Sequence, residues 1–464
     1  MEVKRIDPKR FEIYVSLSRH PYAFYFCKEI AWYSNIEESI LGVVVLDLTD
    51  YDYAAIVLGK DSNGIFRAID YQVNFDTIEK AIAWLFRMIK WYSFVEKQKN
   101  SSTSCNKKKK SINLFKPIIP PVKQHPYFII LNRDPAFLPA KTIINLLMPH
   151  FQDIDGNFVR DFQSAGFDSR IWELFLFMYF NEENLIIKRE HHAPDFIVEK
   201  FNKCVAIEAT TVGRKESKPK IIMDFQEMVS KLNSINPLNI RRKLQNEMPI
   251  KFGSPLYSKL KKKYWELDQV KGKPFVLAIA DFHDDLSMVW SVSALIRYLY
   301  GIEYFFYYNT DGQLVLVPKK IKFHKHGTKT IPSGFFFQPG TEHISAVLFS
   351  SSGTISKFNR MGRQAGFKVD NIIMYRVGTC YNHNPNAWLP KKFAYIVDES
   401  CCETWAEGIS MFHNPNALYP VPKELFPSIA HHFFDGKKII SEIPEFFPFS
   451  SITFYFKIKK RQGG

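Results

Sequence analysis

Cysteine is scarce and unpatterned in this chain. Its six cysteines, Cys27, Cys105, Cys204, Cys380, Cys401 and Cys402, form no CxxC pair and no Cys/His zinc spacing. That argues against a disulfide framework and a structural zinc site, and a reducing compartment is expected. The opening MEVKRIDPKRF has no apolar signal core, and no stretch reaches the roughly 18 apolar residues of a membrane span. No membrane association is therefore expected, and the cytoplasm is the expected location. A phosphate loop is missing too: LFSSSGTISKFNRMG reads as strand, turn and helix start but lacks the GKS or GKT ending, which argues against nucleotide hydrolysis. Acidic residues are in deficit, 47 against 62 Lys and Arg, for a formal net charge of +15. A basic excess of that size suits a polyanionic partner, of which nucleic acid is the commonest.

Apolar and aromatic residues are abundant. The 464 residues are 46% hydrophobic and include 42 Phe, enough for real cores and for about two to four domains. Residues 1–98 read as an N-terminal α/β module: ILGVVVLDL, YAAIVLG and IFRAIDYQV suggest an antiparallel meander, followed by a helix from Asp76 to about Glu96. Residues 99–124, with KNSSTSCNKKKKS and KPIIPPVK, read as a linker. Residues 125–290 carry a helix (DFQSAGFDSRIWELFLFMYF) and three short strands (LIIKRE, PDFIVEK, CVAIEATT). An insertion, an amphipathic helix (SPLYSKLKKKYWEL) and the buried strand PFVLAIADF follow. Residues 291–464 read as a C-terminal α/β module. It holds one of the two copies of HNPNA at 383–387 and the other at 413–417, both expected as turns. The expected class is α/β.

Three acids sit where acids are costly. Glu173 is embedded in IWELFLFMYF, Asp195 opens PDFIVEK, and Glu208 lies inside CVAIEATT. A buried acid must be paired, neutralised or bound to a cation. The hairpin around residues 201–203 can bring Asp195 and Glu208 side by side, where they repel unless a cation lies between them. An oxygen-loving divalent ion such as Mg²⁺ or Mn²⁺ would resolve that repulsion. The alternative is that both are ordinary edge or turn acids.

At these residues the sequence resembles the PD-(D/E)XK, or restriction-endonuclease-like, nuclease superfamily. The resemblance rests on an acid on the first helix (Glu173), then Pro194-Asp195, then Glu208-Ala209-Thr210, in the order helix, three strands, helix, strand. It covers roughly 130 residues and implies a restriction-endonuclease-like core with flanking N- and C-terminal α/β modules. It implies Mg²⁺ or Mn²⁺ on Asp195, Glu208 and the Ala209 carbonyl, with Glu173 as outer ligand or water-orienting group. It also implies metal-dependent hydrolysis of nucleic acid, with DNA the expected polymer, in a setting such as phage defence. The chain departs from the motif at its lysine, which is Thr210 here. Lys259 is the first candidate to replace it, at the border of the apolar stripe Leu256, Leu260, Tyr264 and Leu267; Lys263 is the second and Lys188 the third.

The stretch RRKLQNEMPIKFGSPLYSKLKKK makes Arg241, Arg242, Lys243, Lys261, Lys262 and Lys263 candidate phosphate contacts. A second basic run, KKIKFHKHGTK, starts at Lys319. Lys357, Arg360 and Arg363 are further candidates for nucleic-acid contact. An oligomer or a partner protein remains open. The competing readings are a nucleic-acid-binding module without activity and a structural subunit of a defence complex, both on a nuclease-like core.

Overall fold

The computed structural model describes residues 2–101, 113–213, 242–283 and 291–458. Its first sheet is built from strands β1 (Val3–Arg5), β2 (Cys27–Asn35), β3 (Ile40–Asp47), β4 (Tyr53–Lys60) and β5 (Phe66–Phe75), paired antiparallel in sequence order. Asp61 closes the β4–β5 turn by accepting from the Asn63 and Ile65 amides, and Gly64 supplies the φ of 83° that the turn needs. The helix Ile78–Ser101 covers one face through Ala81, Leu85 and Ile89. It starts two residues later than the sequence suggests, with the Thr77 hydroxyl accepting from the Lys80 amide.

After the helix Phe167–Glu182 come β6 (Ile186–Lys188), β7 (Phe196–Lys200) and β8 (Lys203–Val212), then the helix Met248–Leu260 and β9 (Phe275–Asp281). The described elements thus follow the expected order of helix, three strands, helix, strand. Strands β6, β7 and β8 are antiparallel, and β9 runs parallel to β8.

Beyond β9 lie the helix Ser291–Tyr300 and two hairpins, β10 (Ile302–Tyr308) with β11 (Leu314–Lys320) and β12 (Phe323–His326) with β13 (Lys329–Pro332). Then come β14 (Ala346–Ser350), the helix Ile355–Gln364, β15 (Ile372–Cys380), β16 (Lys391–Ile396), β17 (Ile409–His413), β18 (Ala430–Phe434), β19 (Ile439–Glu442) and β20 (Pro448–Lys457). Strands β14, β17, β18 and β19 join the central sheet, which has eight strands in the order β6-β7-β8-β9-β14-β17-β18-β19. The boundary expected at 290/291 therefore cuts through one hydrogen-bonded sheet. Strand β14 is parallel to β9, and such a pairing needs a long crossover, which residues 282–345 supply.

The sheet is covered on both faces, so its central strands are apolar throughout. In β9, Val276, Ala278 and Ala280 enter one core with the helix Phe167–Glu182, while Phe275, Leu277 and Ile279 enter the other with the helices Met248–Leu260 and Ser291–Tyr300. Charge is buried around Glu403. Lys357 and Arg360, expected as candidate nucleic-acid contacts, are buried and bonded to Glu403, as is Arg376 of β15. They tie the helix Ile355–Gln364 to the 398–408 loop and to the β16-β15-β20 sheet. The HNPNA segments both turn, at Asn384–Ala387 and Asn414–Ala417. In the second, His413 belongs to β17, and Asn414 donates to the Thr341 and Ile344 carbonyls.

Candidate functional site

The β7–β8 hairpin sets the acid pair. Its register pairs Phe196 with Ile207, so Asp195 and Glu208 are the next residues along, opposite one another. Strand alternation puts Glu208 on the face of Ala206, toward the helix Met248–Leu260. The Asp195 amide donates to Glu208 Oε2 at 3.3 Å, and the Ala209 amide donates to Asp195 Oδ2 at 2.8 Å. Strand β7 begins at Phe196, so no strand partner from β7 covers the edge of β8 past Glu208. In an extended strand the N–H and C=O of one residue point to the same side, so the Ala209 carbonyl is on the Asp195 side too.

Lys259 arrives from the opposite layer. It sits in the last turn of the helix Met248–Leu260, which Phe252, Leu256 and Leu260 hold against the sheet. Its Nζ donates to Glu208 Oε1 at 2.5 Å, and the Tyr264 hydroxyl donates to the same oxygen at 2.7 Å. This helix runs earlier than expected, from Met248 with Pro255 inside it, and stops at Leu260. Lys263 therefore lies beyond it, at a left-handed φ of 50°, exposed and paired with Glu266 at 3.2 Å. Lys188 pairs with Glu199 at 2.6 Å on the surface. Of the three candidate lysines, only Lys259 meets the acids.

Glu173, expected as an outer ligand or water-orienting group, comes from the helix Phe167–Glu182. Its helix covers the other face of the sheet, and its carboxylate is taken by Arg170 Nη1 at 2.7 Å and Arg189 Nη2 at 3.5 Å. Burial pushes the Glu173 carboxyl up, and the two arginines oppose that shift. Arg189 is itself enclosed, its guanidinium 3.9 Å from the centre of the Phe151 ring and 4.7 Å from that of Phe196. Its Nε and Nη1 make no hydrogen bond. Burial lowers its pKa, and Glu173 and Asp195 both act to raise it. The sequence reading missed Arg170, Arg189 and Tyr264. Arg189 has a local signal, as a cation directly after a strand of three; the other two look like ordinary helix and stripe residues.

Asp195 carries a heavy electrostatic burden. Burial, then the negative charges of Glu208 and Glu173, push its carboxyl up to about 8, against the pull of the Ala209 amide and Lys259. Two facing carboxylates and one carbonyl on an open strand edge suit Mg²⁺ or Mn²⁺, which take few protein oxygens and keep several waters. Among the described residues there is no cluster of three or more His, Cys, Asp or Glu side chains that could hold a metal.

The expected phosphate contacts flank the same helix. Lys261 and Lys262 are exposed just past its end, each ammonium over a tyrosine ring, Tyr257 and Tyr264 respectively. Arg242 is exposed before the helix, and Lys243 opens the π-helical turn Lys243–Glu247. Arg241 lies outside the described residues. Among these residues no helix is long and apolar enough to cross a membrane. No family model, no curated protein and no solved structure matches the chain.

Proposed function

We propose that this chain is a metal-dependent nuclease that hydrolyses phosphodiester bonds in nucleic acid, with DNA the expected polymer, on a restriction-endonuclease-like core. The observation that carries the reading is the side-by-side pair Asp195 and Glu208 with the Lys259 ammonium on Glu208. Asp195, Glu208 and the Ala209 carbonyl would hold Mg²⁺ or Mn²⁺. When bound, that ion polarises a phosphoryl oxygen and makes a water more nucleophilic.

The chain's own residues do the rest. Lys259, from a different element, would take the part of the motif's lysine, whose own position is Thr210, and offer a cation to the charge that develops on the phosphoryl group. Tyr264 fixes the Glu208 carboxylate with its hydroxyl. Arg170 and Arg189 neutralise Glu173, so that the acid nearest the pair on the helix side adds less repulsion. Lys261, Lys262 and Arg242 position a strand through its phosphates without reading sequence. A role in defence against phage rests on the resemblance alone.

The test is a cleavage assay on plasmid DNA with Mg²⁺, with Mn²⁺ and with EDTA. Cleavage is expected with either ion and not with EDTA. Glu208→Ala is expected to abolish cleavage and to leave DNA binding within about twofold, because phosphate contacts supply most of the affinity. Cleavage by Glu208→Ala at the wild-type rate would remove the site. A gel shift by the wild-type chain without cleavage in any metal would favour the nucleic-acid-binding module.

A further inference from the structure

The hairpin β10–β11 is a two-stranded ribbon with no core of its own, and such ribbons are not stable alone. One face is anchored. The Tyr304 hydroxyl accepts from the Ile439 amide at 2.7 Å, Phe306 stacks on Trp388 with ring centres 3.9 Å apart, and the Tyr308 hydroxyl donates to the Asn386 carbonyl at 3.2 Å. The register puts Phe305 opposite Val317 and Tyr307 opposite Val315, so these four share the other face. Phe305 is 40% exposed, Tyr307 54% and Val317 43%; on the anchored face Phe306 at 40%, Tyr308 at 51% and Leu316 at 48% are as open, but Phe306 and Tyr308 there already have partners in Trp388 and Asn386. An exposed apolar patch of this kind marks an interaction surface.

The charge around it states what kind. From Gly312 to Thr341 there is no acid, while Lys319, Lys320, Lys322, Lys325 and Lys329 all fall in that span. Lys319 holds its ammonium 5.4 Å from the centre of the Phe305 ring. The next hairpin is exposed as well, with Phe323 64% accessible. Open rings interleaved with lysines match a ligand with flat apolar faces joined by negative charges. Phe305 and Tyr307 are two residues apart on one strand, about 7 Å along it, so each can take a separate base. A duplex hides the faces of its bases in its own stack and offers these rings nothing. We propose that the β10–β11 ribbon, with the lysines of β11 to β13, is a stacking platform for single-stranded nucleic acid.

This proposal rests on the nuclease reading for its purpose, because the ribbon, through Glu303, and the next hairpin, through His324 and Lys325, are bonded to the turn Lys243–Glu247 that leads into the helix carrying Lys259. His324 Nδ1 bonds with the Gln245 carbonyl at 2.7 Å, the Lys325 amide donates to Asn246 Oδ1 at 3.3 Å, and Gln245 Nε2 donates to Glu303 Oε2 at 3.3 Å. Gln245 is fourteen residues before Lys259, or about 20 Å at helical rise. On that reading the platform would select or guide an unpaired strand long enough to extend from the ribbon to the acid pair.

The test is fluorescence anisotropy on the full chain in EDTA with labelled oligothymidylate, oligouridylate and duplex DNA, each about 20 nucleotides long. The double variant Phe305→Ala/Tyr307→Ala removes only exposed rings and is expected to keep the wild-type Tm. It should weaken binding to both single strands about tenfold or more and leave duplex binding unchanged. Lys319→Glu/Lys320→Glu should weaken single-strand binding and flatten its salt dependence. Single-strand affinity unchanged in the double variant overturns the platform, as does an equal loss on single strand and duplex. A wild-type dimer that the double variant converts to monomer also overturns it, because the ribbon is then an interface between copies of this chain. Plasmid cleavage with Mg²⁺ separates the two readings. Cleavage with single-strand binding untouched by the double variant removes the platform and keeps the site. Selective loss of single-strand binding without wild-type cleavage removes the site and keeps the platform.

Discussion

At the scale of the residue, Lys259 and Glu208 decide whether the acid pair can work. Asp195 and Glu208 are adjacent because a hairpin register of this length leaves no other choice, and their spacing in the sequence makes that legible. What stands over them is less so. Lys259 could be singled out because it borders an apolar stripe, but the same argument raised Lys263, which lies past the end of the helix. Tyr264, read as part of the stripe, does pack with Leu256 and Leu260, and it also turns its hydroxyl to Glu208. Lys259→Ala is expected to lower kcat about a hundredfold or more, the size of loss typical when a charge-stabilising group is removed, with only a small change in binding. Lys261→Ala, exposed beyond the helix, should do the reverse: weaker binding, a shallower salt dependence and little change at saturating DNA. Single-turnover rates and anisotropy on the two variants check both; equal effects from the two would deny Lys259 its place.

At the scale of the element, the apolar periodicities located most strands and helices, but contact between elements depends on small details. The helix Ile355–Gln364 lies against the helix Leu138–Leu147 so closely that a Cβ at Gly362 would come 2.7 Å from the Pro139 carbonyl oxygen. Because the obstacle is backbone, it cannot swing aside. Gly362→Ala is expected to destabilise the chain by about 1–3 kcal/mol even though Ala favours a helix, and a denaturant melt measures it. No loss would mean that the two helices can part there at little cost. The same helix shows why its cations misled. Lys357 and Arg360 in SKFNRMGR look like a solvated basic face, but the partner that allows their burial, Glu403, is 43 residues beyond Arg360. Pairing over that distance has no sequence signal.

At the scale of the whole molecule, the far edge of the central sheet should respond to acid. His413 and His432 are pushed down to about 3, chiefly by burial and then by the neighbouring imidazoles. Both are therefore neutral in the folded chain while the unfolded chain takes up protons near 6.5. Their contribution is full above about pH 6.5 and is lost as the pH falls toward 3. Glu183, lifted by burial to about 7, works the other way, so total stability mixes the two. The difference between wild type and His432→Gln isolates the imidazole. That difference is expected to shrink by about 1.6 kcal/mol between pH 6.5 and pH 5, read from chemical denaturation at each pH. A constant difference would mean that His432 is free to take its proton in the folded state.

The sequence by itself determined the α/β class, the element order from Phe167 to Asp281, and the pairing of Asp195 with Glu208. Each of these follows from local rules: the period of apolar residues, turn chemistry, and a hairpin short enough to fix its own register. Tertiary structure alone decided that β14, β17, β18 and β19 extend the same sheet past residue 290, that Glu173 answers to Arg170 and Arg189 across the layer, and that Lys357 and Arg360 are interior. The physical reason is common to all three. A strand's pattern says that it is buried but not beside which neighbour, and a charge in the sequence carries no mark of the distant counter-charge that allows its burial.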